Sequence, residues 1–416
     1  MPDALVAIRR GRSAVPDLLF DDQREARIDE IRPLLDRPEA IDDTAPLHRI
    51  TVFATYRCNL ACSYCKTIIR SPEERITRPQ KTVTITADRF RAMLAAHGDT
   101  PIRHLHFTGG EATMVRDLPE MVRAAREHGV EQLSVTSNGA LAPAVYRDLV
   151  AAGIDEIRIS LDAEEARLGD AMAERRGAWR RTVATIGFLA GLRRQGFRFF
   201  LIINSVISTA NRDRVVDIVK FLLSLEPDDI KLITEVESRG ALNHGDDGDD
   251  TRRIAALDAL LADYPAHMYP LLRRKIRTVF SRDAIGLERM DGDREPGPQP
   301  GPEGRRDWRC YIPLTERTVD GMYYYPCSVY LREGGAPLGP IDEPEARKRR
   351  TSAAFVRRGD CLDDPICRRY CLHCTAEYNR RANMERPGQE RPSTGIPGED
   401  SNHGPALAVT AADRAS

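Results

Sequence analysis

Over most of its length the chain has no cysteine: none in the first 57 residues and none between 66 and 309. It has no surplus of charge either, since 62 Lys and Arg against 63 Asp and Glu give a formal net charge of -1. That excludes a partner chosen by bulk charge, nucleic acid above all. A run of about 20 apolar residues, the length that spans a bilayer, is also missing; the longest apolar run, Phe199 to Ile203, is strand-sized. The N-terminus mixes Arg9, Arg10 and Arg12 with Ala, Val and Pro and has no apolar stretch of the kind a secretory signal carries. These absences predict a cytoplasmic protein with no membrane and no nucleic acid among its partners. Thiols stay reduced in that compartment, so the nine cysteines read as metal ligands rather than disulfides.

The 416 residues are enough for one large domain and a smaller one, and 41% hydrophobic residues supply a sizeable core. Residues 1–48 are charged and irregular, with a short helix expected from Asp22 to Ile31 that Pro33 ends or kinks. A regular pattern follows. Alternating apolar residues predict strands at 48–55, 102–108, 132–136, 156–161, 198–206 and 229–235. Amphipathic helices are expected between them at 87–97, 117–128, 142–152, 177–195 and 211–224, with Thr86 as the N-cap of the first and glycines after four of them. Strands alternating with helices imply a parallel sheet, doubly wound or curved into a barrel. The acidic stretch 243–250 reads as a solvated loop, because it lacks calcium-loop spacing. Residues 251–290 read as helical, 291–307 as a Pro- and Gly-rich linker, and 386–416 as a disordered tail. The basic run Arg347-Lys348-Arg349-Arg350 reads as solvated helix surface.

Cysteines crowd into two places. Cys58, Cys62 and Cys65 follow the first strand directly. Three thiolates on one short loop can hold three irons of a cubane cluster and leave the fourth open to a small molecule. Zinc, the alternative, usually takes four protein ligands in CxxC pairs. Gly109-Gly110-Glu111 stands at the end of the second strand, Thr136-Ser137-Asn138-Gly139 at the end of the third, and Ser160 and Asp162 at the end of the fourth. Glycines allow close backbone approach, and a carboxylate can accept hydrogen bonds from an ammonium.

CxxxCxxC with Tyr64 before its last cysteine, followed by GGE, TSNG and SLD at successive strand ends, resembles the radical SAM superfamily over residues 49 to about 240. The resemblance implies a partial (β/α)6 TIM-like barrel with a small C-terminal α+β iron–sulfur domain. It implies a [4Fe–4S] cluster on Cys58, Cys62 and Cys65, with S-adenosyl-L-methionine (SAM) on the open iron. Tyr64, Gly109, Gly110, Glu111, Ser137, Asn138, Ser160 and Asp162 are then its cofactor-binding residues. Asn204 and Glu235, ending the fifth and sixth strands, read first as rim polar residues, and Glu235 is the candidate general base.

The other six cysteines are Cys310, Cys327, Cys361, Cys367, Cys371 and Cys374. With a hairpin turning at Gly321, they resemble the SPASM or twitch extensions of that superfamily, which implies at least one auxiliary [4Fe–4S] cluster. Either Cys310, Cys327, Cys371 and Cys374 hold one cluster and Cys361 and Cys367 are spare, or two clusters share all six. The match to SPASM is incomplete, because Arg358 stands where a cysteine is expected. A zinc knuckle from Cys361 to Cys374 is the alternative, with His373 outside the ligand set. The expected organisation is an N-terminal extension (1–48), a barrel (49–240), a connector and linker (241–307), an auxiliary cluster domain (308–385) and a tail (386–416).

The resemblance implies an enzyme that cleaves SAM reductively and oxidises or cross-links a peptide or protein side chain. A small-molecule oxidoreductase is the second reading, and a non-catalytic iron–sulfur or zinc regulator the third. An electron donor such as flavodoxin or ferredoxin is implied, and if the substrate is a peptide the short N-terminal extension calls for a separate leader-peptide recognition protein or another docking mode.

Overall fold

The structure, a computed structural model, describes residues 28–65, 83–235, 247–280, 308–371 and 373–385. The expected linker 291–307, the tail 386–416 and the acidic residues 243–246 lie outside the described residues. Six parallel strands carry the architecture: β1 Arg49–Thr55, β2 His104–Gly109, β3 Gln132–Ser137, β4 Glu156–Ser160, β5 Phe200–Ile207 and β6 Asp229–Thr234. They lie side by side in sequence order, each joined to the next through at least one helix, which is the arrangement a curved (β/α) sheet needs. One face of every strand is apolar. Ile50, Val52, Leu105, Phe107, Val135, Ile157 and Ile203 belong to the main core, packed with helix residues such as Phe90, Met121, Tyr146 and Ile218.

Local chemistry fixes the helix ends. Thr86 caps Ala87–His97 by accepting from the Arg89 amide, and Gly153, in the left-handed region at φ 96°, ends Pro143–Ala152. The helix expected at 211–224 begins as a 3-10 turn, Arg212–Arg214, and continues as Val215–Ser224. A short helix, Ala166–Met172, precedes Ala178–Arg194 and has no counterpart in the sequence reading.

The C-terminal part does not stand apart as a separate sheet. β7 Glu316–Val319 pairs in parallel with β1, opposite Arg49 to Val52, and then turns through Asp320 to Met322 into antiparallel β8 Tyr323–Tyr325 and the short β9 Gly339–Pro340. The sheet therefore has nine strands among the described residues, open at β6 and extended beyond β1. A second apolar cluster joins the two ends of the chain, with Ile28, Ile31 and Leu35 packing on Tyr311, Leu314, Val356 and Ala382. The Tyr311 hydroxyl donates to the Leu35 carbonyl at 2.9 Å. Pro33 sits in a 3-10 turn after the helix Ile28–Ile31.

Two expectations fail. The stretch 243–250 is not all loop, since the helix Asp247–Ala262 starts inside it. The run Arg347 to Arg350 is not all solvated: in the helix Glu345–Val356, Lys348 and Arg349 are buried. Arg349 and Arg317 both pair with the buried Glu345, so the helix turns its basic face inward toward a carboxylate. No helix among the described residues is long and apolar enough to cross a membrane.

Candidate functional site

β1 ends at Thr55, and Cys58, Cys62 and Cys65 leave it on the loop that follows, all half-buried. The loop is held from three sides. The Gly110 amide donates to the Thr55 carbonyl at 2.6 Å and the Glu111 amide to the Arg57 carbonyl at 2.8 Å. A side chain has no room there, since a Cβ on Gly110 would lie 2.3 Å from the Arg57 oxygen and one on Gly109 2.3 Å from the Thr55 oxygen. The two glycines thus allow strand end β2 to approach the cysteine loop itself. On another side, Ala61 and Ser63 donate to the carbonyls of Ala173 and Met172.

Glu111 is buried and fully employed. One oxygen accepts from the amide and hydroxyl of Thr113, and the other accepts from the Asn138 amide at 2.7 Å. Burial pushes its carboxyl up from the usual range, against those hydrogen bonds. Asn138 passes the link onward: its side-chain amide donates to Asn59 at 2.7 Å and to the Cys58 sulfur at 3.7 Å. The Leu60 amide also donates to that sulfur at 3.4 Å. Ser137 is buried below this turn, bonded to Tyr146 and the Gly139 amide rather than open to the loop.

On the far side the Tyr64 hydroxyl donates to Asp162, whose second oxygen accepts from the Val206 amide at 2.7 Å. Burial raises the Asp162 carboxyl to about 6. Ser160 lies opposite Asn204 at the top of β4 and is half-buried. Burial pushes the Cys58 thiol up, and it pushes Cys62 up to about 12, with Asp162 and the neighbouring thiols adding to the shift. Neutral thiols in such a place suit a cationic metal group, which deprotonates its ligands on binding. The arrangement fits a cluster on Cys58, Cys62 and Cys65.

The second cysteine group is assembled from distant stretches. Cys310, Cys327, Cys367 and Cys371 line one cavity of about 240 Å³, whose other walls are β1 to β7. Cys361 is buried beside them, close enough to feel Cys310, Cys367 and Cys371. Cys367 lines the same cavity as the hairpin cysteines Cys310 and Cys327. Arg358, in the position where SPASM has a cysteine, donates to the Cys367 sulfur at 3.8 Å and pairs with Asp364 at 3.0 Å. The side chains of His373 and Cys374, in the helix His373–Met384, lie outside the described residues.

Between the groups stands Asp320, fully buried at the β7–β8 turn. It accepts from the hydroxyls of Tyr56 and Tyr325 at 3.2 Å each and from the Met322 and Tyr323 amides at 2.8 Å each.

Residues 52–222 match the family model of the radical SAM superfamily. Over those residues the chain is similar to the radical SAM domain, whose superfamily members are enzymes. It is 27% identical over 180 residues to the PqqA peptide cyclase of Rhizobium meliloti, covering 43% of this chain and 45% of that one. It is 32% identical over 117 residues to the GTP 3',8-cyclase of Heliobacterium modesticaldum, covering 28% and 34%. The chain thus spans less than half the length of these curated relatives. Among solved structures, Streptococcus suis SuiB bound to precursor peptide SuiA shares the fold with a TM-score of 0.51 at 14% identity, over 86% of this chain and 73% of that one. So does anSMEcpe with bound AdoMet and Cp18Cys peptide, with a TM-score of 0.51 at 15% identity, over 82% and 95%.

Several residues that hold the radical SAM domain's strand ends together were passed over in the sequence. Thr113 and Tyr146 bracket Ser137, Thr182 donates to the Asn138 carbonyl at 2.7 Å, and Asn211 donates to the Asp162 carbonyl at 2.9 Å. Thr113 stands two residues after the GGE motif, and the others are polar residues in a helix or turn with no motif around them. Glu235 follows β6, its amide donating to the Ile207 carbonyl at 2.9 Å, and it does not line the cavity.

Proposed function

We propose that this radical SAM enzyme cleaves SAM reductively and uses the resulting 5′-deoxyadenosyl radical to oxidise or cross-link a peptide or protein side chain. The observation that carries the reading is two cysteine groups about one sheet: a triad on the loop that follows β1 and four thiols lining the cavity of that sheet. Ligand sites of parallel barrels gather at the C-terminal strand ends.

When bound, a [4Fe–4S] cluster on Cys58, Cys62 and Cys65 supplies the electron for SAM cleavage, and an auxiliary cluster supplies an acceptor for the substrate's electron. The chain's own residues prepare for both. Asn138 and the Leu60 amide donate to the Cys58 sulfur, which favours its thiolate form. Gly109 and Gly110 let β2 brace the loop, and Glu111 locks Asn138 in place from below. Tyr64 is fixed against Asp162, so the aromatic ring before Cys65 has one orientation. Cys310, Cys327, Cys367 and Cys371 would hold the auxiliary cluster, with Arg358 donating to Cys367.

The peptide reading rests on the PqqA peptide cyclase likeness. A small-molecule substrate is the second reading, favoured by the GTP 3',8-cyclase likeness. Anaerobic reconstitution followed by dithionite and SAM tests the core of the proposal. Formation of 5′-deoxyadenosine, with about eight irons per chain, is expected. An iron-loaded chain that yields none sinks it.

A further inference from the structure

The buried face of the helix Glu345–Val356 carries more positive than negative charge. Lys348 is 1% exposed and Arg349 2%, and so is Arg317 of β7, which shares Glu345 with Arg349. Both Glu345 oxygens are engaged: Arg317 donates to each of them, and Arg349 pairs with one at 2.9 Å. His97, at the end of the helix Ala87–His97, adds no counter-charge. Its Nδ1 donates to the Met93 carbonyl at 2.6 Å, since a carbonyl can only accept, and its Nε2 accepts from Arg317 at 3.5 Å. Burial and the charges of Lys348 and Arg317 hold the ring well below its ordinary pKa, as neutral imidazole.

The Lys348 ammonium is left over. Its Nζ has no hydrogen-bond partner, and neither has the buried Ser352 hydroxyl, one turn further along the same helix face. Glu343 and Asp342 act on the amine only by charge, and Glu343 pairs with Arg347 at 3.0 Å. An ammonium and a hydroxyl thus stand one turn apart, both buried, with no protein acceptor bonded to either. A buried cation without a partner is costly, and Arg317 beside it raises that cost. Water would offer such donors a lone pair but no charge. An anion offers both.

We propose that Lys348 and Ser352 form a binding site for a small monovalent anion, chloride or another halide, which fastens the helix Glu345–Val356 to β7. Lys348 and Ser352 donate to the ion, and Arg317 contributes charge alone, because its terminal nitrogens are taken by Glu345 and His97. Burial sets the class of ligand. A sulfate or phosphate dianion would need more donors than one ammonium and one hydroxyl to replace its water, whereas a halide sheds its water at lower cost. Neither Lys348 nor Ser352 lines the thiol cavity, so the site is separate from both cysteine groups and stands whether or not the function proposed above does.

The test is thermal unfolding of the anaerobically reconstituted full chain at constant potassium and ionic strength, with chloride replacing gluconate in steps. An anion that binds only the folded chain stabilises it by mass action, so the midpoint should climb and then follow the logarithmic law of a single site. Bromide should act as chloride does. Lys348→Met is expected to weaken the chloride affinity roughly tenfold or more, and Ser352→Ala roughly fivefold, in line with losing a charged and a neutral hydrogen bond. Only the chloride-dependent rise is compared, so whatever either substitution does to stability in gluconate drops out. A wild-type midpoint indifferent to chloride overturns the proposal before any variant is made, and would leave Lys348 to turn to Glu343. An equal rise in both variants overturns it as well, because the anion then binds elsewhere or acts on the solvent. Tighter binding of sulfate than of chloride overturns the monovalent assignment.

Discussion

The two cysteine regions are built on opposite plans. Cys58, Cys62 and Cys65 hang on one loop, so a short stretch of chain brings its own thiols together and β2 and β3 only brace it. Cys310, Cys327, Cys367 and Cys371 come from before β7, after β8, a short helix and the residue following it. Their meeting depends on closing long loops, which costs chain entropy that only the finished fold repays. The first region is therefore local and the second tertiary. A local ligand set suits the site that must hold one position open. A set gathered by the whole fold suits one whose place relative to the barrel matters most.

The sharpest way to break this comparison is to empty each region in turn. Cys58, Cys62 and Cys65 changed together to Ala should abolish 5′-deoxyadenosine formation and remove about four irons per chain. Cys310→Ala with Cys327→Ala should also remove about four, yet leave deoxyadenosine formation intact while product oxidation stops. Product analysis and iron assay check both, and loss of deoxyadenosine in the second variant would end the division of labour.

Next in size is Gly110→Ala, whose Cβ would meet the Arg57 oxygen at 2.3 Å. It should destabilise the fold by about 1–3 kcal/mol and cost the triad its iron before the second region, as read by thermal unfolding and iron assay.

Lys348, in the helix flanking the second region, is buried, and its amine has no hydrogen-bond partner. Burial, with Arg317 adding to it, lowers its pKa from 10.5 to about 8. The folded chain then binds fewer protons than the unfolded one between those values, so stability rises with pH across that window. Lys348→Met should lose this rise and gain on the order of 1–3 kcal/mol at pH 7, measured by denaturant unfolding at pH 7 and 10.

The smallest effect expected is that of Arg358→Gln. Removing the donor to Cys367 should make the auxiliary potential more negative by roughly 20–60 mV, the equivalent of one modest hydrogen bond. Redox titration of the second region, with the first unchanged, would show it.

Much of the barrel was legible before any coordinates. All six strands fall within two residues of their expected bounds, because apolar alternation and turn glycines carry the signal locally. The pairing of β7 with β1 was not legible, since four residues, Glu316 to Val319, have no apolar period and their partner lies far away in sequence. The burial of Lys348 and Arg349 was hidden for a similar reason: Glu345, which draws Arg349 inward, matters only once Arg317 arrives from another strand. In the site, the cysteines and strand-end motifs could be read from spacing. The inner wall could not, because an alternating strand does not say which of its faces meets helices and which meets a cavity. His106, Arg158 and Lys231 were visible as polar residues within strands, but their common face exists only after the sheet curves.

Asp320 has one more consequence. Tyr56 lies two residues before Cys58 and Tyr325 two before Cys327, and both hydroxyls end on this one carboxylate. Burial and the nearby charge hold both phenols well above their ordinary pKa, so they stay donors at any working pH. The carboxylate therefore ties the chain just before Cys58 to the chain just before Cys327. Coupling of this kind is reciprocal: whatever stiffens one cysteine region lowers the cost of ordering the other. Metal bound near the hairpin should then make the first loop easier to fill without being required for it.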